Sequence, residues 1–545
     1  MTHPTHDVFN QPEPLGDVNL FRIDAALQAA VSAYGGEPAR PRLEAYGGLA
    51  GGELGRHGRL ANRYPPELCT HDAYGRRIDE VEFHPSYHAL MRAAIAHGIH
   101  SLPWEGEPGG HVARAALELL HDQADCGTDC PITMTYACIP SLRASPALAA
   151  EWIPKILSRE YDGRARPMAE KTGVTIGMAM TEKQGGTDVR ANTTRAAPLN
   201  EAVGGAECYE LTGHKWFCSA PMSDAFLTLA QTDEGLGCFL LPRFRPDGSR
   251  NAFHLQRLKD KLGNRSNASS EVEFAGAFAW LLGEPGRGVA TIIEMVALTR
   301  FCCMVGSAAI MRQAMVQVMH HIRRRRVFGR LLIEQPLMRN VAADLMLESE
   351  AALWLTLRVA AALDAAERDP AAANLVRLAT ALGKYWICKR APGHINEAQE
   401  CLGGLGYVEE NILPRLYREA PVNSIWEGSG NVQCLDMMRA LGRTPAVLDT
   451  VLAVLEEVRG EHAGYDAALD ALKPRLADAA DDAFGARRRA ERLALLLEAR
   501  LLIEHTPAHV ANAFIRSRLN PDTLAYGGLE DPAAADWLLA RLDPG

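Results

Sequence analysis

The sequence predicts an α+β chain that is mainly α, and three observations carry this. Through the first 165 residues the hydrophobic positions read as helical after an irregular start, and from Thr172 the period drops to two. After Gly288 the helical spacing returns and is kept. The expected organisation is an N-terminal helical domain over 1–165, a middle β domain over 166–285, a helical bundle over 286–443 and an extra C-terminal helical segment over 444–545. At roughly 150 residues per domain, a chain of 545 residues has room for about three to four such pieces.

Each piece has its own pattern. In the N-terminal region, turns are expected at Gly47–Gly52 and at Glu105–Gly110. In the middle region Val174, Ile176, Met178 and Met180 alternate with smaller residues, as a strand does. Tyr209, Leu211 and Phe226–Leu229 continue that character, with loops at Gly204–Gly205 and Pro246–Gly248. The run Gly283–Gly288 is read as a loop, because its proline and its context do not fit a dinucleotide-binding turn. Beyond it, Phe301, Met304, Ala308, Met311 and Met315 share one helical face, and Val341, Leu345, Ala352, Leu355 and Val359 another. Helices this long pack naturally as a bundle, with the methionine stripe as core. A break near Arg443–Pro445 precedes the last segment.

Composition narrows the class. Hydrophobic residues make up 47% and charged residues 23%, a globular balance that excludes disorder as a main feature. No window approaches eighteen uncharged apolar residues, so no membrane partner is expected. Met1–Leu20 resembles neither a secretion signal nor a transit peptide, which predicts a cytoplasmic protein. Twelve cysteines are too sparse for a disulfide scaffold. Cys126 and Cys130 have no second pair to complete a metal site, so none is expected, and Cys302–Cys303 reads as core packing. The formal charge of −10 argues against a surface that is basic everywhere, while leaving room for one basic face.

Two segments carry chemistry. The loop Met180-Thr-Glu-Lys-Gln-Gly-Gly-Thr-Asp188 follows the best strand. Its glycine pair is either a plain turn or a place where backbone amides approach a polyanion, with hydroxyls of Thr181 and Thr187 as further donors. In Val422-Asn-Ser-Ile-Trp-Glu-Gly-Ser-Gly-Asn431, Glu427 lies between Trp426 and Gly428. A carboxylate against an aromatic wall loses solvation, which raises its pKa towards that of a neutral-pH base; the alternative is a surface or helix-capping acid.

Taken together, the motifs resemble the acyl-CoA dehydrogenase family, and within it the alkylation-response, AidB-type flavoproteins. The resemblance runs from Val8-Phe-Asn-Gln-Pro12 into the last segment. It rests on Met180–Val189, Gly213-His-Lys-Trp-Phe217, Leu258–Ala268, Arg325-Arg-Val-Phe-Gly329, Leu402–Tyr407 and Pro421–Asn431. It implies an N-terminal helical domain, a β domain and a helical bundle that hold FAD and assemble as a homotetramer. By match to the family motifs, Met180, Thr181, Gly186 and Thr187 would contact the flavin and its pyrophosphate. Trp216 would cover the isoalloxazine, with Cys218 or Ser219 hydrogen-bonding to the ring. Arg325 and Phe328, with Gly403 and Gly404, would reach FAD held mainly by a neighbouring subunit; of the run Arg323–Arg326 only Arg325 is assigned. Glu427 would be the catalytic base that takes the α-proton of an acyl-CoA, short or branched, while hydride leaves the β-carbon for the flavin. Ile425, Trp426, Gly428, Ser429 and Asn431 would shape the same loop around the cofactor.

Three features depart from ordinary members. Trp426 stands where tyrosine is usual, narrowing the acyl pocket, and Glu400 stands where glutamine is usual. The third is the longer C-terminal segment, which the AidB-type branch associates with double-stranded DNA. That association points to Arg439, Arg487 and Arg488, with a further cluster of Arg489, Arg492, Arg516 and Arg518. Residues 444–545 nevertheless hold 11 Lys and Arg against 17 Asp and Glu, a net of −6, whereas DNA-binding domains normally present a basic footprint. The alternative to a redox enzyme is thus a DNA-binding, alkylation-response flavoprotein with weak or vestigial activity.

Overall fold

The computed structural model describes residues 4–477 and 482–545. The four expected segments group into two compact units. One comprises residues 1–53, 111–123 and 303–545; the other comprises residues 54–110 and 124–302.

The second unit holds all strands described except a short antiparallel pair, Arg326–Val327 with Arg330–Leu331, which lies in the first. A hairpin of β1 (Glu67–His71) and β2 (Arg77–Glu82) interrupts the N-terminal helices, which the helical reading of 1–165 did not anticipate. These strands are largely half-exposed, so they lack the clean apolar alternation that announces a strand. The main sheet has seven strands: β3 (Ile176–Ala179), β4 (Arg195–Val203), β5 (Ala206–Ser219), β6 (Ala225–Thr232), β7 (Gly235–Pro242), β8 (Phe253–Leu258) and β9 (Ser269–Leu282). Its order is β3-β6-β4-β5-β9-β7, with β8 on β9; β6 also pairs with β7, so the sheet returns on itself. Inward residues of alternating strands, including Leu211, Phe226, Phe239, Leu241, Phe253 and Phe274, form its core, with Phe226 and Phe253 stacked at 4.9 Å.

The first unit is helical. Its glycines at 47–52 lie within a helix (Arg40–Leu49) and the following helical turn rather than in a loop. They are there for close approach: a Cβ on Gly51 would meet the Val18 carbonyl oxygen at 2.1 Å. Four long helices follow: α1 (Gly288–Ile322), which belongs to this unit from Cys303 on, α2 (Pro336–Ala365), α3 (Pro370–Leu402) and α4 (Gly430–Arg443), and α5 (Ala486–His505) lies in the last segment. Contrary to the sequence reading, α1 contains a stretch long and apolar enough to cross a membrane, but 61% of that window is buried within the fold, as in a core helix. Met304, Met311 and Met315 are indeed core.

The last segment is built into the bundle by a buried charge network. Arg518 binds Asp344 and Glu348 of α2, and the Nε–Oε2 contact to Glu348 is 2.7 Å. Arg390 of α3 reaches Glu348 at 2.8 Å and the Tyr526 hydroxyl at 3.0 Å. Burial alone would raise the Glu348 carboxyl; the two guanidinium groups outweigh it and bring it to about 2. Residues 444–545 are therefore an integral layer of this unit.

Candidate functional site

The expected site residues fall into two groups, one in each unit. In the β unit, β3 delivers the chain to the glycine turn. Glu182 and Gly185 exchange backbone hydrogen bonds of 3.1 Å across it. The Glu182 side chain points away from solvent and organises the turn. It accepts from Lys215 Nζ at 2.8 Å, from the Thr193 amide at 2.7 Å and from the Thr194 amide at 3.2 Å. Lys215 also donates to the Leu229 carbonyl at 2.8 Å, so a fully buried ion pair ties the turn to β5 and β6. Burial disfavours the Glu182 charge, but the Lys215 charge and these donors prevail and hold its carboxyl at about 2.

With Glu182 turned inward, the outer side of the turn keeps its donors open. The hydroxyls of Thr181 and Thr187 and the amides of Gly186 and Thr187 make no hydrogen bond among the described residues. Gly186 must be glycine, since a Cβ there would meet Thr181 Oγ1 at 2.7 Å. Met180 is fixed by Asn192, whose amide donates to its carbonyl at 2.9 Å. A cluster of free donors beside a position where no Cβ fits suits the pyrophosphate of the FAD that the resemblance implies.

Trp216 is attached to this turn through its amide, which donates to the Thr181 carbonyl at 2.8 Å. Lys259 lies 3.3 Å from the centroid of its ring, and Lys259 and Arg257 both reach Glu271 at 2.6 Å. Of the alternatives Cys218 and Ser219, the side chain of Cys218 faces inward. Strand alternation turns its side chain into the β core, where burial pushes the thiol up to about 12, so it is not available to a ring on the surface. Ser219 is the half-buried member of the pair, bonded to Ser269 Oγ at 2.9 Å.

In the helical unit the turn before α4 carries the expected base. Glu427 is half-buried and has φ +56°, a left-handed conformation that costs a residue with a Cβ of order 1 kcal/mol or more. Gly428 follows at φ +95°, where a Cβ would meet Val432 at 2.7 Å. The backbone is held from beneath. Lys384 Nζ donates to the carbonyls of Asn423 at 3.1 Å and Gly428 at 2.8 Å. Gln433 Nε2 donates to the carbonyls of Glu427 at 3.1 Å and Gly428 at 2.9 Å. The Trp426 indole N–H is spent on Asn423 Oδ1 at 3.0 Å, and Ile425 is 64% exposed. Ser429 caps α4 without a side-chain hydrogen bond, and the first turn contains no acid, which leaves a helix N-terminus favourable to an anion.

Other expected residues lie elsewhere in the same unit. Arg325 donates to the Asn10 carbonyl, while Asn10 exchanges two 2.8 Å hydrogen bonds with the Arg326 backbone. The N-terminal motif residue Asn10 thus anchors the arginine loop. Phe328 is 95% exposed with φ +52°, and Gly403 and Gly404 are open to solvent. Glu400 is exposed.

The basic cluster of the last segment is mostly spent within the fold. Arg489 pairs with Asp482 at 2.9 Å, Arg492 donates to the Leu519 carbonyl at 2.7 Å, Arg516 pairs with Glu530, and Arg518 is buried in the network above. Arg487 donates through Nε to Asn431 Oδ1 at 2.8 Å, joining the first turn of α4. Arg439 and Arg488 remain exposed with no ion pair among the described residues. Sequence reasoning assigned no role to Glu182, Lys215, Asn10, Lys384 or Gln433. The first three lie in quoted motifs; Lys384 and Gln433 carry no local signal.

Comparison with known proteins covers nearly the whole chain. Residues 10–163 match the adaptive response protein AidB N-terminal domain, 177–277 the acyl-CoA dehydrogenase middle domain, and 286–442 the acyl-CoA dehydrogenase C-terminal domain. The chain is similar to AidB of Escherichia coli (strain K12), 49% identical over 482 residues, which is 88% of each chain. It is also similar to acyl-CoA dehydrogenase family member 11 of Caenorhabditis elegans, 30% identical over 513 residues, covering 86% of this chain and 81% of that one. Among solved structures, Caenorhabditis elegans ACDH-11 in complex with C11-CoA superposes with a TM-score of 0.80 at 27% identity, over 98% of this chain and 97% of that one.

Proposed function

The chain belongs to the acyl-CoA dehydrogenase family, in its AidB-type branch, and from that premise we propose that Glu427 is the base of an FAD-dependent α,β-dehydrogenation of an acyl-CoA. The observation that carries this is the Glu427 turn: an acid in a left-handed conformation, with its own carbonyl and those of Asn423 and Gly428 fixed by Lys384 and Gln433. Glu427 takes the α-proton, and the substrate loses a hydride from its β-carbon, leaving a conjugated enoyl thioester. FAD, when bound, supplies the two-electron acceptor. The turn at 181–187 would hold its pyrophosphate, and Trp216 and Ser219 would adjoin its ring. The C11-CoA bound by the Caenorhabditis elegans relative supports an acyl-CoA as the substrate class.

The exposed side chains of Phe328, Leu337, Tyr407 and Ile425 support an oligomer that covers them. The duplex-DNA alternative gains little here. The last segment is net acidic, and Arg489, Arg492, Arg516 and Arg518 are spent within the fold, leaving Arg487 and Arg488, with Arg439 of α4, as open cations.

The test is anaerobic titration of the yellow holoenzyme with straight and branched acyl-CoAs. Wild type should bleach with at least one of them. Glu427→Gln should keep its FAD and its acyl-CoA binding while reduction slows by about a thousandfold or more. Reduction of that variant at the wild-type rate would place the base elsewhere.

A further inference from the structure

Lys384 is a buried cation that is not engaged in a salt bridge among the described residues. It lies on α3 and is 1% exposed. Burying an ammonium costs several kcal/mol unless its donors are satisfied, so a lysine kept at such a position is held there by what it binds. Its two partners are main-chain carbonyls, Asn423 and Gly428, which bracket the turn carrying Glu427. Asn423 is held a second time, by its side-chain amide donating to Ser307 Oγ at 3.2 Å. Lys384 and Glu427 are also close enough for both charges to be felt by one thiol. Cys303 is raised chiefly by burial, and then lowered by Lys384 and raised by Glu427.

Resting on the assignment of Glu427 as base, we propose that Lys384 is a positioning residue for it, its ammonium clamping both ends of the turn that holds Glu427 at φ +56°. A neutral amide could also reach two carbonyls, as Gln433 does, but without the charge that strengthens both bonds. The ammonium carries three donors and makes charge-assisted bonds to both carbonyls, which fixes a conformation the peptide would otherwise leave. Proton abstraction depends on placing the carboxylate within hydrogen-bond reach of the α-carbon, and a displacement of about 1 Å can cost on the order of a hundredfold in rate.

The experiment compares wild type, Lys384→Met, Gln433→Leu and Glu427→Gln as holoenzymes, by anaerobic stopped-flow reduction with an acyl-CoA that bleaches wild type. Hydrogen–deuterium exchange across residues 422–433 is measured alongside on the FAD-free proteins. For Lys384→Met the limiting reduction rate should fall about tenfold or more, with FAD content and half-saturating acyl-CoA unchanged. Exchange in 422–433 should speed up. Gln433→Leu, which keeps the ammonium, should show the same pattern to a smaller degree, and decides the matter if Lys384→Met does not fold. An unchanged limiting rate, unchanged exchange, or a loss confined to FAD content or half-saturation would overturn the proposal while leaving Glu427 as base. Wild-type reduction by Glu427→Gln would instead overturn the base assignment, and the clamp's catalytic meaning with it.

Discussion

Lys215 in the β unit and Lys384 in the helical unit are both almost wholly buried, and each stands behind a turn that carries candidate site residues. Lys215 meets the carboxylate of Glu182, which in turn gathers the amides of Thr193 and Thr194. Lys384 meets only carbonyl oxygens. The first arrangement removes an acid from the outer face of the glycine turn, leaving neutral donors there for a polyanion. The second leaves an acid, Glu427, on the turn itself and fixes only the backbone beneath it. Where a site must receive phosphate the acid is buried and neutralised; where it must take a proton the acid is kept and its backbone is held.

The largest expected effect breaks the first arrangement. Lys215→Met leaves Glu182 buried without its counter-charge, a change that typically costs about 3–5 kcal/mol. The β unit should then melt on the order of 10 °C lower, measured by differential scanning calorimetry. Lys384→Met strands no carboxylate in this way and should cost less stability than activity. If Lys215→Met melted with wild type, the ion pair would not be what holds the glycine turn.

Acid titration sharpens the same contrast. Glu182 moves from an ordinary carboxyl value of 4.5 to about 2 in the fold, because Lys215 and the surrounding donors outweigh burial. A group lowered on folding stabilises the protein fully above its unfolded value and loses that contribution as pH falls through the folded one. The Glu182 contribution is therefore complete above about pH 4.5 and fades towards about pH 2. Glu182→Gln, though less stable at neutral pH, should lose melting temperature less steeply than wild type over that window. Parallel slopes would assign the acid sensitivity to other carboxylates such as Glu348.

The comparison also explains what could be read from the sequence. The β domain was legible because β3 and β6 are buried on both faces and rich in apolar residues, and the bundle because its helices are long and keep their faces. The glycine turn and the Trp426–Asn431 turn were legible as motifs. The hairpin at 67–82 was not, because its strands are half-exposed. Cys218 and Ser219 stayed alternatives because a motif gives the residues while only the strand register says which face each side chain takes. Lys384 was invisible for a different reason: it lies 43 positions before Glu427 in a helix that also holds Arg377, Lys389 and Arg390, and nothing local marks it as the one turned inward.

The smallest expected effect concerns how far the last segment belongs to the site. Arg487 was grouped with DNA-contact residues on sequence grounds, yet its guanidinium donates at 2.8 Å to Asn431, in the same first turn of α4 that follows Glu427. One exposed hydrogen bond is worth about 1 kcal/mol, so Arg487→Ala should weaken FAD retention about fivefold, read as FAD fluorescence released on dilution. Arg488 is the control, since it is exposed, adjacent and without an ion pair among the described residues, and Arg488→Ala should release FAD as wild type does. Equal release from both variants would mean that the positive charge of α5, rather than the contact to Asn431, is what the cofactor feels. Release from neither would leave α5 as scaffold alone.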